Sequence, residues 1–268
     1  MDGHKEIPVV MVFAGNDPSG GAGIAADIEA AISMGCHVAP VVTAITSQNT
    51  QRLIHYTVVD GATLVSQARP VVEDLPVRAF KIGMVGSAEN VEVIHTLLNE
   101  HPDIPVVLDP VLHSGDGSPL ADSDVRDAMV SLLFPLTTVL TPNSVEARHL
   151  APNGDTLDAC AQQLLEQGCQ FVLITGTHEK TPNVINALYG NRRHLESYSW
   201  ERLPGTYHGS GCTLSSAIAG LLAHGMEPHT AIREAQEYTW ESLKHGYRIG
   251  AGQALPNRLF WARGNEAQ

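Results

Sequence analysis

Apolar residues along this chain gather in short continuous runs separated by helix-length segments. Ile7 to Ala14 is the first run, closed by Gly15. Its lack of polar alternation predicts a strand covered on both faces, as in a parallel sheet. Val38 to Ile45 repeats the pattern and empties into the polar loop Thr46-Ser47-Gln48-Asn49-Thr50. Further strands are predicted at Ala79 to Val85, Pro105 to Asp109, Thr138 to Thr141 and Phe171 to Thr175. Leu53 to Val59 alternates instead, which suits a short strand at an edge or in a flap. Helices are predicted from Ile24 to Met34, stopped by Gly35, from Ala62 to Glu73, and from Ala88 to Asn99 after Ser87. Others cover Asp122 to Phe134, Asn143 to Leu150 and Thr156 to Gln167. Asn183 to Tyr189 and His194 to Trp200, separated by Gly190-Asn191, predict a hairpin. A small-residue helix follows Cys212, and a last one runs from Thr230 to about His245.

Strands that alternate with helices almost throughout imply an α/β fold: a mostly parallel central sheet with helices on both faces. No repeat, low-complexity tract or linker divides residues 1–268, so a single domain is expected. Hydrophobic content of 43% with 17% charged residues excludes a disordered chain or a coiled coil. A formal net charge of −13 argues against nucleic acid or an anionic membrane as partner, but not against a phosphorylated ligand bound at helix termini. Cys36, Cys160, Cys169 and Cys212 form no C-x-x-C pair, so neither zinc nor a disulfide framework is indicated and a cytoplasmic protein is expected.

Two glycine-rich stretches carry candidate chemistry. Asn16-Asp17-Pro18-Ser19-Gly20-Gly21-Ala22-Gly23 joins the first strand to the first helix, yet its spacing fits neither G-x-G-x-x-G nor G-x-x-x-x-G-K-[ST]. Gly209-Ser210-Gly211-Cys212 opens onto the apolar helix that ends near Gly225. Free N–H groups and the positive end of the dipole make such a start attractive to phosphate. A thiolate at Cys212 would be favoured there as proton acceptor or nucleophile; the alternative is an inert buried thiol.

Six segments in order resemble the hydroxymethylpyrimidine/phosphomethylpyrimidine kinases of the ribokinase-like superfamily: Ala14 to Ile24, Thr46 to Thr50, Lys81-Ile82-Gly83-Met84, Leu108-Asp109-Pro110-Val111, Thr141 to Glu146, and His208 to Ser215. The resemblance implies a three-layer α/β/α kinase that uses ATP and Mg²⁺, and a homodimer. Its expected substrate is 4-amino-5-hydroxymethyl-2-methylpyrimidine and then the monophosphate. Asn16 stands where the family usually has Ser or Thr, and Thr175-Gly176-Thr177-His178 where it has Lys-Gly-Gly-His. His113-Ser114-Gly115-Asp116 lacks the family's lysine, which bears on the second phosphorylation more than on the first.

On this resemblance Gln48 reads the pyrimidine, since an amide answers a ring nitrogen and an adjacent amino group together. Asp27, Ala22, Met84 and Val111 match positions lining the substrate pocket. Asn143 and Thr175 fall on the nucleotide, and Gly209, Ser210, Gly211 and Cys212 on the transferring phosphoryl group. Glu146 is assigned to Mg²⁺ through water, because a glutamate beside a triphosphate needs a cation between; the alternative is an ordinary helix start capped by Asn143. Asp109 joins it as a weaker metal or phosphate candidate. A pyridoxal or pyridoxine kinase is the competing enzyme, and a silent pyrimidine sensor the competing class.

Overall fold

The computed structural model describes residues 6–262. All nine strands belong to one sheet, in the order β3-β2-β1-β4-β5-β6-β7-β8-β9. β1 (Val9–Asn16), β2 (His37–Gln48), β4 (Val77–Ile82), β5 (Val106–Leu108), β6 (Val139–Leu140) and β7 (Phe171–Ile174) run parallel. β3 (Leu53–Val58) and the hairpin β8 (Asn183–Gly190) and β9 (Arg193–Glu201) are antiparallel additions at the two edges.

The unbroken apolar run of β1 has the expected cause. Val9, Met11 and Phe13 join a core with α2 (Gly61–Asp74), α3 (Ala88–Asn99) and α6 (Leu157–Glu166). Val10, Val12 and Ala14 face the opposite layer of α1 (Gly23–Ser33), α7 (Ser210–Ala223) and α8 (Pro228–Lys244). Successive side chains point to opposite faces, so a strand between two helical layers must be apolar at every position. The three-layer α/β/α expectation therefore holds.

Boundaries differ where local chemistry competes with pattern. β2 does not stop at Ile45 but continues to Gln48, because Thr46 and Ser47 pair with Tyr56 and His55 of β3. The helix expected over Asp122 to Phe134 is α4 (Ser123–Ala128), continued by one π turn and a 3₁₀ turn that carries Pro135. The hairpin turns on Asn191-Arg192, both at positive φ, rather than Gly190-Asn191; Gly190 is still paired, with Arg193. α7 starts at Ser210, ahead of Cys212, and gives way at Gly225, whose φ of 79° suits a glycine after a helix end.

The chain runs outward from β1 to β3, then returns to place β4 on β1's other side. This reversal lies between β1 and β4, and in open α/β sheets such a point opens a crevice at the carboxyl ends of the strands.

Candidate functional site

A cavity of about 1120 Å³ occupies that crevice. Its floor is the start of α7. Gly209 caps this helix with φ 85°, and a side chain there would overlap the carbonyl oxygen of Gly21 in the other glycine loop. No side chain caps α7, and the N–H groups of Ser210, Gly211 and Cys212 have no acceptor among the described residues. Close packing of two glycine loops thus presents three donors and a positive helix end to the cavity.

Beneath the donors lies a charged layer. Lys81, on β4, is fully buried and paired with Asp27 at 2.7 Å, and Ser216 donates to the same carboxylate oxygen at 2.6 Å. Burial opposes the Lys81 charge, but Asp27 first, with Asp109, holds it protonated, above the ordinary lysine range. Asp109 is buried at the end of β5, its Oδ2 3.5 Å from where a Cβ on Gly211 would sit. Burial, helped by Asp27 and opposed by Lys81, lifts its pKa to about 6.

Cys212 is half-buried. Here the expectation of a favoured thiolate is corrected. Burial, with Asp27 and Asp109, pushes the thiol up to about 12 against the opposite pull of Lys81. Removal from water among carboxylates outweighs the dipole of α7.

One wall comes from α5 (Ser144–Leu150). Asn143 Oδ1 accepts from the N–H groups of Val145 and Glu146 at 2.9 and 3.0 Å, and Glu146 accepts from the Asn143 N–H at 2.9 Å. This is a complete capping box. The other Glu146 oxygen accepts from Leu112 N–H at 3.4 Å. Burial first and Asp109 second raise Glu146 to about 8, against those two hydrogen bonds. The Asn-capped helix start is therefore present. A buried carboxylate raised by its buried neighbour Asp109 nonetheless suits a hard divalent cation, with Glu146, its oxygens already engaged, reaching it through water.

The opposite wall takes the substrate candidates. Met84 packs with Ala44 and Leu120 beside Val111, an apolar face suited to an aromatic ring. Gln48 is half-buried at the end of β2, and its side-chain amide has no partner among the described residues. Ala22 caps α1, its N–H held by Asp17 at 2.9 Å. All the residues proposed from the sequence line this one cavity except Asp27, which sits behind the floor and orients Lys81. Thr175 lines it beside Asn143, the two bridging adjacent backbone segments.

The profile of the phosphomethylpyrimidine kinase family matches residues 17–257. A hydroxymethylpyrimidine/phosphomethylpyrimidine kinase of Mycobacterium bovis is 35% identical over 259 residues, 94% of each chain. The chain belongs to the phosphomethylpyrimidine kinase family. A solved phosphomethylpyrimidine kinase from Clostridium difficile is 33% identical with a TM-score of 0.76, covering 89% of this chain and all of that one. A Bacillus subtilis pyridoxal kinase, solved as an ADP complex, is 27% identical with a TM-score of 0.88, covering 96% of this chain and all of that one. The ribokinase-like fold is thus common to kinases of both rings.

Sequence reasoning gave no role to three residues of this family site. Lys81 had a signal, the one cation within the run Ala79 to Val85. His208 Nε2 donates to the Asp17 carboxylate at 2.8 Å immediately before Gly209, and Asp17 also accepts from Ser19 N–H at 2.8 Å. Burial alone would raise the Asp17 carboxyl, but the His208 and Ser19 hydrogen bonds hold it below its ordinary value. The D-x-S turn was legible; its partner 191 positions away was not.

Proposed function

We propose that the protein transfers the γ-phosphoryl group of ATP to the hydroxymethyl group of 4-amino-5-hydroxymethyl-2-methylpyrimidine, and then phosphorylates the monophosphate. The observation that carries this reading is the uncapped start of α7, whose three unpartnered N–H groups lie in one cavity with Gln48 and the Met84–Val111 face. Family membership supplies the reaction class.

Phosphoryl transfer asks a protein chiefly to position reactants and to stabilise charge. The N–H groups of Ser210, Gly211 and Cys212 would take the charge on the transferring oxygens. Cys212 is the proposed acceptor of the hydroxyl proton. Its thiol is neutral at rest, so it would first give its own proton to solvent, a loss that the positive charge of Lys81 favours, and the thiolate would then take the hydroxyl proton. Asn143 and Thr175 would border the nucleotide. Asp109 and Glu146 would hold Mg²⁺, which when bound neutralises phosphate charge. Gln48 would pair with the aminopyrimidine edge, and Ala22 would bring backbone close to the ring. In the second step the substrate carries its own phosphate. His113 and His149, with ring centres 5.6 Å apart on the cavity wall, are the basic groups offered where the family has lysine.

Product analysis with ATP, Mg²⁺ and the hydroxymethylpyrimidine tests the reading. ADP and the pyrimidine monophosphate are expected, with a higher kcat/KM than for pyridoxal. Turnover of pyridoxal alone would replace it with the pyridoxal kinase activity.

A further inference from the structure

We propose that Arg258 is a positioning residue for phosphoryl transfer, the side chain through which the C-terminal segment holds the open start of α7 against the first glycine loop. This inference rests on the phosphoryl-transfer reading. Arg258 lies one residue beyond the stretch matched by the family profile, and it is the largest fully buried side chain of the described residues.

A guanidinium has five donors in a fixed plane, so its partners must themselves be fixed to satisfy it. Three groups meet it here. Nε donates to Thr213 Oγ1 at 2.8 Å, Nη1 to Glu29 Oε2 at 3.0 Å, and Nη2 to the carbonyl oxygen of Gly21. Thr213 Oγ1 in turn donates to the carbonyl oxygen of Gly209 at 2.8 Å. The Gly21 oxygen is also the atom a Cβ on Gly209 would strike. One guanidinium therefore ties together both backbone segments whose approach shapes the anion-binding floor.

Its own backbone is held independently of the site. The Arg258 carbonyl oxygen accepts from Ser33 Oγ at 2.7 Å and from Tyr238 OH at 2.8 Å, and the Asn257 N–H donates to the Ser242 carbonyl at 2.9 Å. The same segment reaches the loop a second time, where Ala254 N–H donates to Thr206 and His208 N–H to Ala254. Electrostatics adds to geometry. The guanidinium side chain is 1% exposed, whereas its carboxylate partner Glu29 is 40% exposed, so the charge behind α7 is only partly offset. A cation there reinforces the positive end of the helix.

The test compares Arg258→Ala and Arg258→Lys with the parental protein in three measurements: pyrimidine-dependent ADP formation, thermal unfolding, and amide hydrogen exchange over Gly209 to Thr213. Displacement of reacting groups by about 1 Å costs up to about 10²-fold. Arg258→Ala should therefore lower kcat about 10–100-fold while the pyrimidine KM changes less than about 3-fold. Lysine, without the planar fork, should not restore the rate, whereas added ethylguanidine should restore part of it in Arg258→Ala. Exchange at Gly209 to Thr213 should accelerate in both variants. If Arg258→Ala does not fold, Thr213→Val carries the test, since it cuts the link to Gly209; a folded protein with a lowered Tm, a lower kcat and a pyrimidine KM changed less than about 3-fold is expected. A folded variant with parental kcat and parental exchange overturns the proposal. A parental protein without kinase activity overturns the functional reading instead, and the exchange measurement still decides the role of Arg258.

Discussion

The starts of α5 and α7 face the same cavity with the same dipole, yet they offer opposite chemistry. At α5 the donors are spent: Asn143 takes two N–H groups, Glu146 takes a third, and Ser144 N–H goes to the Thr175 carbonyl at 3.0 Å. What remains toward the cavity is a buried carboxylate. At α7 the cap is a glycine without a side chain, and three donors stay free among the described residues. A helix N-terminus is therefore an anion site only when its own cap leaves N–H groups unpaired. Toward the cavity the described residues thus present free N–H groups at α7 and, at α5, the Glu146 carboxylate near Asp109.

The largest test of this contrast is Cys212. If its side chain serves the open start as proton acceptor, Cys212→Ser should lower kcat by about 10²–10⁴-fold with both substrates still bound. Unchanged kcat would leave the floor with backbone donors alone. Replacement of Cys36, Cys160 or Cys169, all buried, should leave the chemistry intact.

Gly209→Ala attacks the backbone instead. A non-glycine residue at φ 85° costs about 1–3 kcal/mol, and its Cβ also overlaps Gly21, so the two loops must part. Loss of an aligned donor typically costs about 10²–10³-fold in kcat. Activity within twofold of the parental value would show that the donors need no such alignment.

At the closed start the expected effects are smaller and fall on stability. Asn143→Ala removes the cap from two N–H groups and should destabilise the protein by about 0.5–2 kcal/mol in denaturant unfolding. No loss would mean that α5 does not depend on its box.

The two buried carboxylates add a pH slope. Asp109 rises from 3.8 to about 6 and Glu146 from 4.5 to about 8, so between about pH 4 and 8 these two groups bind more protons in the folded protein than in the unfolded chain. Their contribution to stability is complete below the unfolded values and is lost as pH rises through the folded ones. Tm without metal should therefore fall across that window, and Glu146→Gln should flatten the fall. Added Mg²⁺ should raise Tm most at the upper end. A slope identical in Glu146→Gln would remove Glu146 as its source.

The division between legible and illegible residues follows range. β1, with its Val9–Ala14 run, was readable because burial on two faces leaves a local mark. Gly209 to Cys212 was readable because a glycine turn and the helix after it are neighbours in the chain. Gln48 was placed by motif likeness, yet its loop proved to be the end of a strand, since only the partner β3 extends β2 that far. Asp27 was misplaced in the pocket because nothing near it in sequence announces Lys81, which meets it from 54 positions away. Arg258 gave no local sign at all.

By itself the sequence determined the alternation of strands and helices, the two glycine loops and the place of Cys212 at the start of α7, because these depend on side-chain patterning and backbone freedom within a few residues. The tertiary structure decided how those parts are charged and held. Burial beside Asp27 and Asp109 keeps Cys212 a thiol despite its helix position, and Arg258 reaches across 237 residues to the Gly21 carbonyl. Electrostatic and hydrogen-bonding energies depend on separation in space and on exclusion of water, neither of which is encoded in local order along the chain.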